Sequence, residues 1–132
     1  MIIAFTGTQN GMSDRQKRTL RGIMNFFSED TNLIFLHGDC VGADADAHAI
    51  VNEFAIDIEL FPCDIKEKRA WCKGAKLTHA RIPPLKRNDI MAKRCDLLIA
   101  APKSLHEEIR SGTWATIRYA RKYDKSIIIL DG

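Results

Sequence analysis

Short apolar runs alternate along the chain with segments in which apolar residues recur every three or four positions. Uninterrupted runs of this kind are typical of strands that are buried on both faces of a parallel sheet. One further segment alternates apolar and polar side chains, which also indicates a strand. The pattern predicts five strands, at residues 2–5, 33–36, 56–61, 96–101 and 126–130.

Helical periodicity marks the segments between these strands. Ser13 is followed three residues later by Gln16, the spacing of a capping box, so the first helix should begin there. In the third helix, Ile90 and Met91 are expected to face inward. The four predicted helices cover residues 14–28, 43–54, 86–94 and 112–123.

Strands that alternate with helices favour a parallel sheet covered on both faces. The predicted fold class is therefore α/β: a three-layer Rossmann-like domain with a mostly parallel five-stranded sheet. The length of 132 residues suits a single domain, residues 1–132. Residues 62–85 lack a period and are expected to form a long loop with room for a short helix, which is more often functional than idle.

Composition excludes several function classes. The formal net charge of +3 is spread along the chain rather than concentrated in a stripe, so nucleic acid is not the favoured partner. No stretch approaches the ~20 apolar residues of a membrane span, and the N-terminal run is too short for a signal peptide. We expect a cytoplasmic protein without a membrane partner.

The four cysteines, at positions 40, 63, 72 and 95, include no Cys-x-x-Cys pair. A zinc ribbon or a thioredoxin-like dithiol is therefore disfavoured. Buried free thiols are the favoured interpretation, and a spatial pairing of Cys63 with Cys72 stays open.

Three predicted loops follow strands and lead into helices, at residues 6–11, 38–44 and 101–113. In open parallel sheets, ligands bind beyond the carboxyl ends of the strands, near the point where the strand order reverses. Helix N-termini there offer free amides and a partial positive charge, which suit phosphate.

Residues 37–48, HGDCVGADADAH, combine candidate metal ligands with turn glycines. Asp44 and His48 would share a helix face, but the segment matches neither a zincin nor a calcium loop, so no metal is predicted. Gly38 and Gly42 permit a tight turn. Asp44 then either lines a ligand pocket or simply caps the helix, and both hypotheses stay open.

Two further groups could contact a ligand. Residues 111–113, SGT, open a helix and would hold a phosphate or act as a plain helix cap. Arg87 could bind a phosphate or carboxylate in a bidentate contact, with Asn88 beside it, although a solvated surface arginine is the alternative. Trp114, or else Trp71, could stack on a base or belong to the core.

Four blocks together resemble the SLOG superfamily, the Rossmann-like group related to the Lonely Guy phosphoribohydrolases and to DNA-processing protein A. They are residues 5–8 (FTGT), residues 37–44 (HGDCVGAD), Arg87-Asn88 with Met91, and residues 111–113 (SGT). The resemblance implies a nucleotide pocket at the strand ends. Its expected ligand-binding residues are Gly7, Thr8, Gly38, Gly42, Asp44, Arg87, Asn88, Ser111, Gly112, Thr113 and Trp114.

The chain departs from the motif Pro-Gly-Gly-x-Gly-Thr-x-x-Glu of the phosphoribohydrolases. Ile109 and Arg110 replace its first glycines, and Thr116 stands at the glutamate position. Threonine cannot supply the carboxylate that stabilises an oxocarbenium-like transition state. Asp44 or Glu107 could substitute for it, and the candidate catalytic residues are Arg87 and Asp44.

We therefore expect a module that binds a nucleotide or a nucleotide-derived small molecule, as a sensor or a sequestering protein. The alternative is an enzyme that cleaves or transfers at the N-glycosidic bond of a nucleoside monophosphate, a phosphoribohydrolase or a deoxyribosyltransferase-like protein. No cofactor is predicted. A homo-oligomer, dimeric or higher, is expected, with the loop that holds Trp71, Pro83 and Pro84 as a candidate interface.

Overall fold

The structure, a computed structural model, describes residues 1–132. A single sheet of six strands has the order β4-β3-β2-β1-β5-β6, and every neighbouring pair is parallel. The strands are β1 Ile2–Gly7, β2 Ile34–His37, β3 Asp57–Leu60, β4 Leu77–Thr78, β5 Leu97–Ala101 and β6 Ser126–Ile129. The helices are α1 Asp14–Phe27, α2 Ala43–Asn52, α3 Pro84–Arg94 and α4 Gly112–Lys122.

The three-layer α/β class is confirmed, but the prediction of five strands is wrong by one. The additional strand, β4, has only two residues, and both Leu77 and Thr78 are exposed at the sheet edge. Its pairing with β3 depends on the amides of Lys76 and His79, which donate to the carbonyls of Ile58 and Leu60. A strand this short and exposed carries no hydrophobic pattern, so the sequence analysis included it in the loop predicted at residues 62–85.

Each face of the sheet carries its own hydrophobic core. On one face, Leu20 of α1 and Val51 of α2 pack with Phe5 and Phe35. On the other face, Met91 of α3 and the buried residues of α4 pack with alternate residues of the same strands. Strands buried on both sides explain why the sequence shows continuous apolar runs.

The helix starts obey local chemistry. Ser13 and Gln16 form the predicted capping box at the start of α1. The third helix begins at Pro84, two residues earlier than expected, because a proline is well suited to the first helical position. Met91 is buried as predicted, whereas Ile90 is partly exposed, contrary to the prediction.

All four cysteines are free thiols, so Cys63 and Cys72 form no disulfide in the structure. None of the helices combines the length and hydrophobicity that a bilayer-spanning segment requires.

Candidate functional site

A cavity of about 330 Å³ opens at the carboxyl ends of the central strands. The strand order reverses at β1, since the chain continues to β2 on one side and returns to β5 on the other. The cavity lies at this switch point, where open parallel sheets bind their ligands, and its volume falls at the lower end of the range for small-molecule pockets.

Ten of the eleven residues predicted to bind a ligand line this cavity. The exception is Gly42, whose φ of 91° and close packing serve the turn itself. A Cβ atom at position 42 would lie 2.3 Å from the carbonyl oxygen of Gln9, so no other residue fits there. The lining residues that were predicted are Gly7, Thr8, Gly38, Asp44, Arg87, Asn88, Ser111, Gly112, Thr113 and Trp114. Their role as ligand contacts stays a prediction.

Arg87 is a buried residue of the cavity wall, only 6% exposed, so the alternative of a solvated surface arginine is wrong. Its Nη1 donates to the carbonyls of Gly38 (2.9 Å) and Phe61 (2.8 Å), and its Nε donates to Asn88 Oδ1 (2.7 Å). A Cβ atom at position 38 would lie 2.2 Å from Nη1, so glycine is required for this contact. The second terminal nitrogen, Nη2, makes one long hydrogen bond, to Cys40 Sγ at 3.7 Å.

Asp44 is buried at the start of α2, but it does not cap its own helix, where the N-cap is Gly42. Its Oδ2 accepts hydrogen bonds from the amides of Gly38 (3.1 Å) and Cys40 (3.2 Å), so it fixes the preceding turn. Its Oδ1 is buried and has no hydrogen-bond partner. Burial raises the pKa of Asp44 to about 6, against the opposing effects of Arg87 and the two amides.

The N-terminus of α4 forms the opposite wall. Ser111 is the N-cap, and its hydroxyl accepts a hydrogen bond from the amide of Trp114 (3.3 Å), so the cap hypothesis holds for this residue. The amides of Gly112 and Thr113 donate to no other group of the protein. These free amides leave a partial positive charge at the cavity.

Sequence reasoning missed much of the charge in the lining. Lys68, Lys103 and Arg110 add positive charge to that of Arg87, against only Asp44 and Glu108 on the acidic side. Lys103 comes two residues after a strand end, so the rule that identified the other loops could have found it. Lys68 lies in the segment without a period, and no sequence pattern indicated it.

Of the two carboxylates proposed to replace the missing glutamate, Asp44 lines the cavity and Glu107 does not. Glu107 binds Arg118 and Arg121 on the surface, and its neighbour Glu108 lines the cavity instead. Thr116, at the glutamate position of the hydrolase motif, is buried, and its hydroxyl donates to the carbonyl of Gly112 (3.0 Å).

The two tryptophans differ. Trp114 belongs to the core of its sheet face and also lines the cavity, and its Nε1 is buried without a partner. Trp71 is half exposed and outside the cavity lining, with the Arg69 guanidinium 3.9 Å from its ring centroid.

Asp39 joins the turn after β2 to the long segment at residues 62–85. Its carboxylate accepts hydrogen bonds from Arg69 Nε (2.7 Å) and the Cys72 amide (2.8 Å), and its carbonyl accepts one from the Ala70 amide (2.7 Å). Burial acts to raise the pKa of Asp39, but these hydrogen bonds outweigh it and lower the pKa below its usual value. This Asp39 clasp, formed with Arg69 and Cys72, lies directly after Lys68 and holds that part of the segment against the turn.

Two buried histidines extend the clasp. The Asp39 amide donates to His37 Nδ1 (2.9 Å), which assigns the ring proton to Nε2. That nitrogen then donates to His48 Nδ1 (2.9 Å), and His48 Nε2 donates to the Lys73 carbonyl (2.6 Å). Burial, followed by the influence of His48, lowers the pKa of His37 to about 3, so the His37 ring is neutral at pH 7.

Ligand atoms of His37, His48 and Cys72 lie within 4.8 Å of one another, which raises the question of a metal ion. A histidine that binds a metal usually donates its other ring N–H to an acceptor. The other ring nitrogen of His37 instead faces the N–H of Asp39. The hydrogen-bond pattern therefore suits a structural chain better than a metal centre.

No protein-family model matches the sequence, and no curated protein is significantly similar to it. Solved structures do match the fold. The molybdenum cofactor binding protein from the bacterium Rippkaea orientalis superposes with a TM-score of 0.75 at 16% identity, over 99% of this chain and 76% of that one. The Moco carrier protein from Chlamydomonas reinhardtii gives 0.67 at 18% identity, over 98% of this chain and 75% of that one.

DNA processing protein A from Streptococcus pneumoniae gives a TM-score of 0.68 at 16% identity, over 98% of this chain but only 50% of its own. At such low identity these likenesses establish the fold alone. The Rossmann-like fold that the four sequence blocks implied is therefore confirmed.

Proposed function

We propose that the protein binds a small anionic molecule derived from a nucleotide, as a sensor or a sequestering protein. The observation that carries this proposal is the pairing, in one cavity, of the free amides of Gly112 and Thr113 with an excess of basic side chains. The phosphate of the ligand lies at the start of α4, where the amides and the helix dipole favour negative charge.

Two features support a small molecule over a polymer. The cavity is a pocket of limited volume, whereas a nucleic-acid site usually presents a continuous basic surface. Two of the proteins that share the fold are described as a cofactor binding protein and a carrier protein. A third is a DNA processing protein, so salt-sensitive binding of single-stranded DNA is the outcome that would redirect the proposal.

The proposal is tested by calorimetric titration with AMP, GMP, CMP and UMP, each beside its nucleoside. At least one monophosphate should bind roughly 10- to 100-fold more tightly than its nucleoside, because hydrogen bonds to a charged group are strong. Arg110→Ala should weaken this binding. Arg18→Ala, which removes an exposed charge of α1 outside the cavity lining, is the matched control. Equal affinity for nucleoside and monophosphate, or no binding of either, contradicts the proposal.

Cleavage or transfer at the N-glycosidic bond is the second candidate, and Glu108 is the observation that favours it. This residue brings a carboxylate to the cavity, where Thr116 brings none. Incubation with the same four monophosphates followed by chromatography would detect the free base. Base release that disappears in both Glu108→Gln and Arg87→Ala would establish an enzyme and reject a purely binding role.

A further inference from the structure

Two polar atoms of the cavity wall lack a strong hydrogen-bond partner, one at the start of α2 and one in α3. Asp44 Oδ1 is an acceptor that is buried without a partner. Arg87 Nη2 is a donor whose recorded contact is the weak one to Cys40 Sγ. Both residues line the cavity, so a ligand can supply the missing groups.

The carboxylate and the guanidinium are neighbours that do not pair directly. Asp44 Oδ2 is occupied by the amides of Gly38 and Cys40, and Arg87 Nη1 by two carbonyls. Both side chains converge on Gly38, because a Cβ atom there would lie 2.2 Å from Arg87 Nη1 and 3.0 Å from Asp44 Oδ2. The two side chains therefore meet at the same glycine of the cavity wall, and each carries a second polar atom, Oδ1 or Nη2, that lacks a strong hydrogen-bond partner.

The chemistry of this pair selects among ligand groups. A phosphate oxygen would be repelled by the carboxylate, and the amino group of a base donates without accepting. A hydroxyl both donates and accepts, so it can satisfy Asp44 Oδ1 and Arg87 Nη2 together. A buried acceptor left empty costs free energy, which makes such a site reject an analogue without the hydroxyl.

We propose that Asp44, with Arg87, forms a subsite for a sugar hydroxyl, so that the ligand is a ribonucleotide and Asp44 determines the preference over deoxyribonucleotides. This inference rests on the proposed function, since the phosphate anchors the same molecule at α4. The phosphate contact itself is assigned to the start of α4 and not to Asp44.

The test uses the tightest-binding monophosphate of the four and its 2′-deoxy and 3′-deoxy analogues, in calorimetric titrations. At least one analogue should bind roughly 10- to 100-fold more weakly to the wild-type protein. In Asp44→Asn the amide oxygen can still accept from Gly38 and Cys40, while a donor replaces the open acceptor. The difference between the ribose and deoxyribose forms should then shrink to about threefold or less.

Asp46→Asn is the matched control, because it makes the same chemical change in the same helix outside the cavity lining. It should retain the full preference. Equal binding of all three forms to the wild-type protein overturns the inference and leaves the proposed function standing. A preference that survives in Asp44→Asn also overturns it, whereas failure of every monophosphate to bind removes the proposed function as well. The wild-type comparison decides even if the variant unfolds.

Discussion

Asp39 lies in the turn after β2 and Asp44 lies five residues later at the start of α2, and the two carboxylates have opposite environments. Asp39 is fully buried and its oxygens accept from Arg69 and from the Cys72 amide, so its pKa is lowered although burial acts to raise it. Asp44 is almost as buried, but its Oδ1 accepts no hydrogen bond, and burial raises its pKa to about 6.

The difference separates structure from function within one stretch of sequence. The side of the turn that holds Asp39, His37 and His48 has a partner for each of its hydrogen-bonding groups, which is what a structural element needs. The cavity side retains open valences at Asp44 and at Trp114. Buried polar atoms without partners are costly, so their concentration around one cavity indicates where a ligand completes the structure.

Acid should destabilise the protein through His37, which is buried and fully hydrogen-bonded. His37 has a pKa of about 3 in the fold and an ordinary value of 6.5, so between these pH values only the unfolded chain takes up the proton. Stability should fall by about 5 kcal/mol as the pH drops across this window. Urea unfolding at a series of pH values measures it. His106→Gln, at an exposed histidine, should keep the slope, and His37→Gln should flatten it; an unchanged slope in His37→Gln contradicts the prediction.

Breaking the Asp39 clasp should also be severe. Asp39→Ala leaves Arg69 and the Cys72 amide without their acceptor and forces alanine into a backbone with a φ of 54°. The loss of a partner from a buried ion pair costs about 3–5 kcal/mol. Asp39→Asn should cost less, because asparagine tolerates this backbone and can still accept one hydrogen bond. Urea unfolding at pH 7 is the measurement, and a loss below about 1 kcal/mol for alanine would show that the clasp is not structural.

The elements most accessible to sequence analysis were those with a local cause. Continuous apolar runs located β1, β2 and β5 because both faces of these strands are buried, and they located β6 because its isoleucines are partly buried against the two cores. Ser13 marked the start of α1 by a contact three residues away. The edge strand β4 escaped because neither of its residues is buried.

The site was only partly predictable for the same reason. Glycines and helix starts after strands reveal the cavity loops, since the position of a loop in a parallel sheet follows from the order of elements. The Asp39–Arg69 pair joins residues 30 positions apart through a segment without a period, so no local rule could foresee it. The position of Lys68 at the cavity is beyond such rules for the same reason.

Asp44 should give stability a pH dependence opposite to that of His37. Asp44 has a pKa of about 6 in the fold against an ordinary 3.8, so the folded state holds the proton more firmly and stability falls as the pH rises through this window. The loss should reach about 3 kcal/mol. Asp44→Asn abolishes it, so the stability of the variant relative to the wild-type protein should increase between pH 4 and pH 7. Urea unfolding at both pH values measures the difference, and a relative decrease would contradict the prediction.

The smallest expected effect tests whether the position of a residue at the cavity or its hydrogen bonding determines its contribution to stability. Ser111 lines the cavity as Asp44 does, but its hydroxyl is occupied by the Trp114 amide. Ser111→Ala should therefore cost about 1 kcal/mol, the usual loss of an N-cap, whereas Ser111→Thr should retain most of the stability. Thermal unfolding of the two variants beside the wild-type protein is the measurement. If Ser111→Ala does not lower the stability, then a hydrogen bond in the cavity wall contributes nothing to the fold. The difference between Asp39 and Asp44 would then depend on their distance from the cavity and not on their hydrogen bonds.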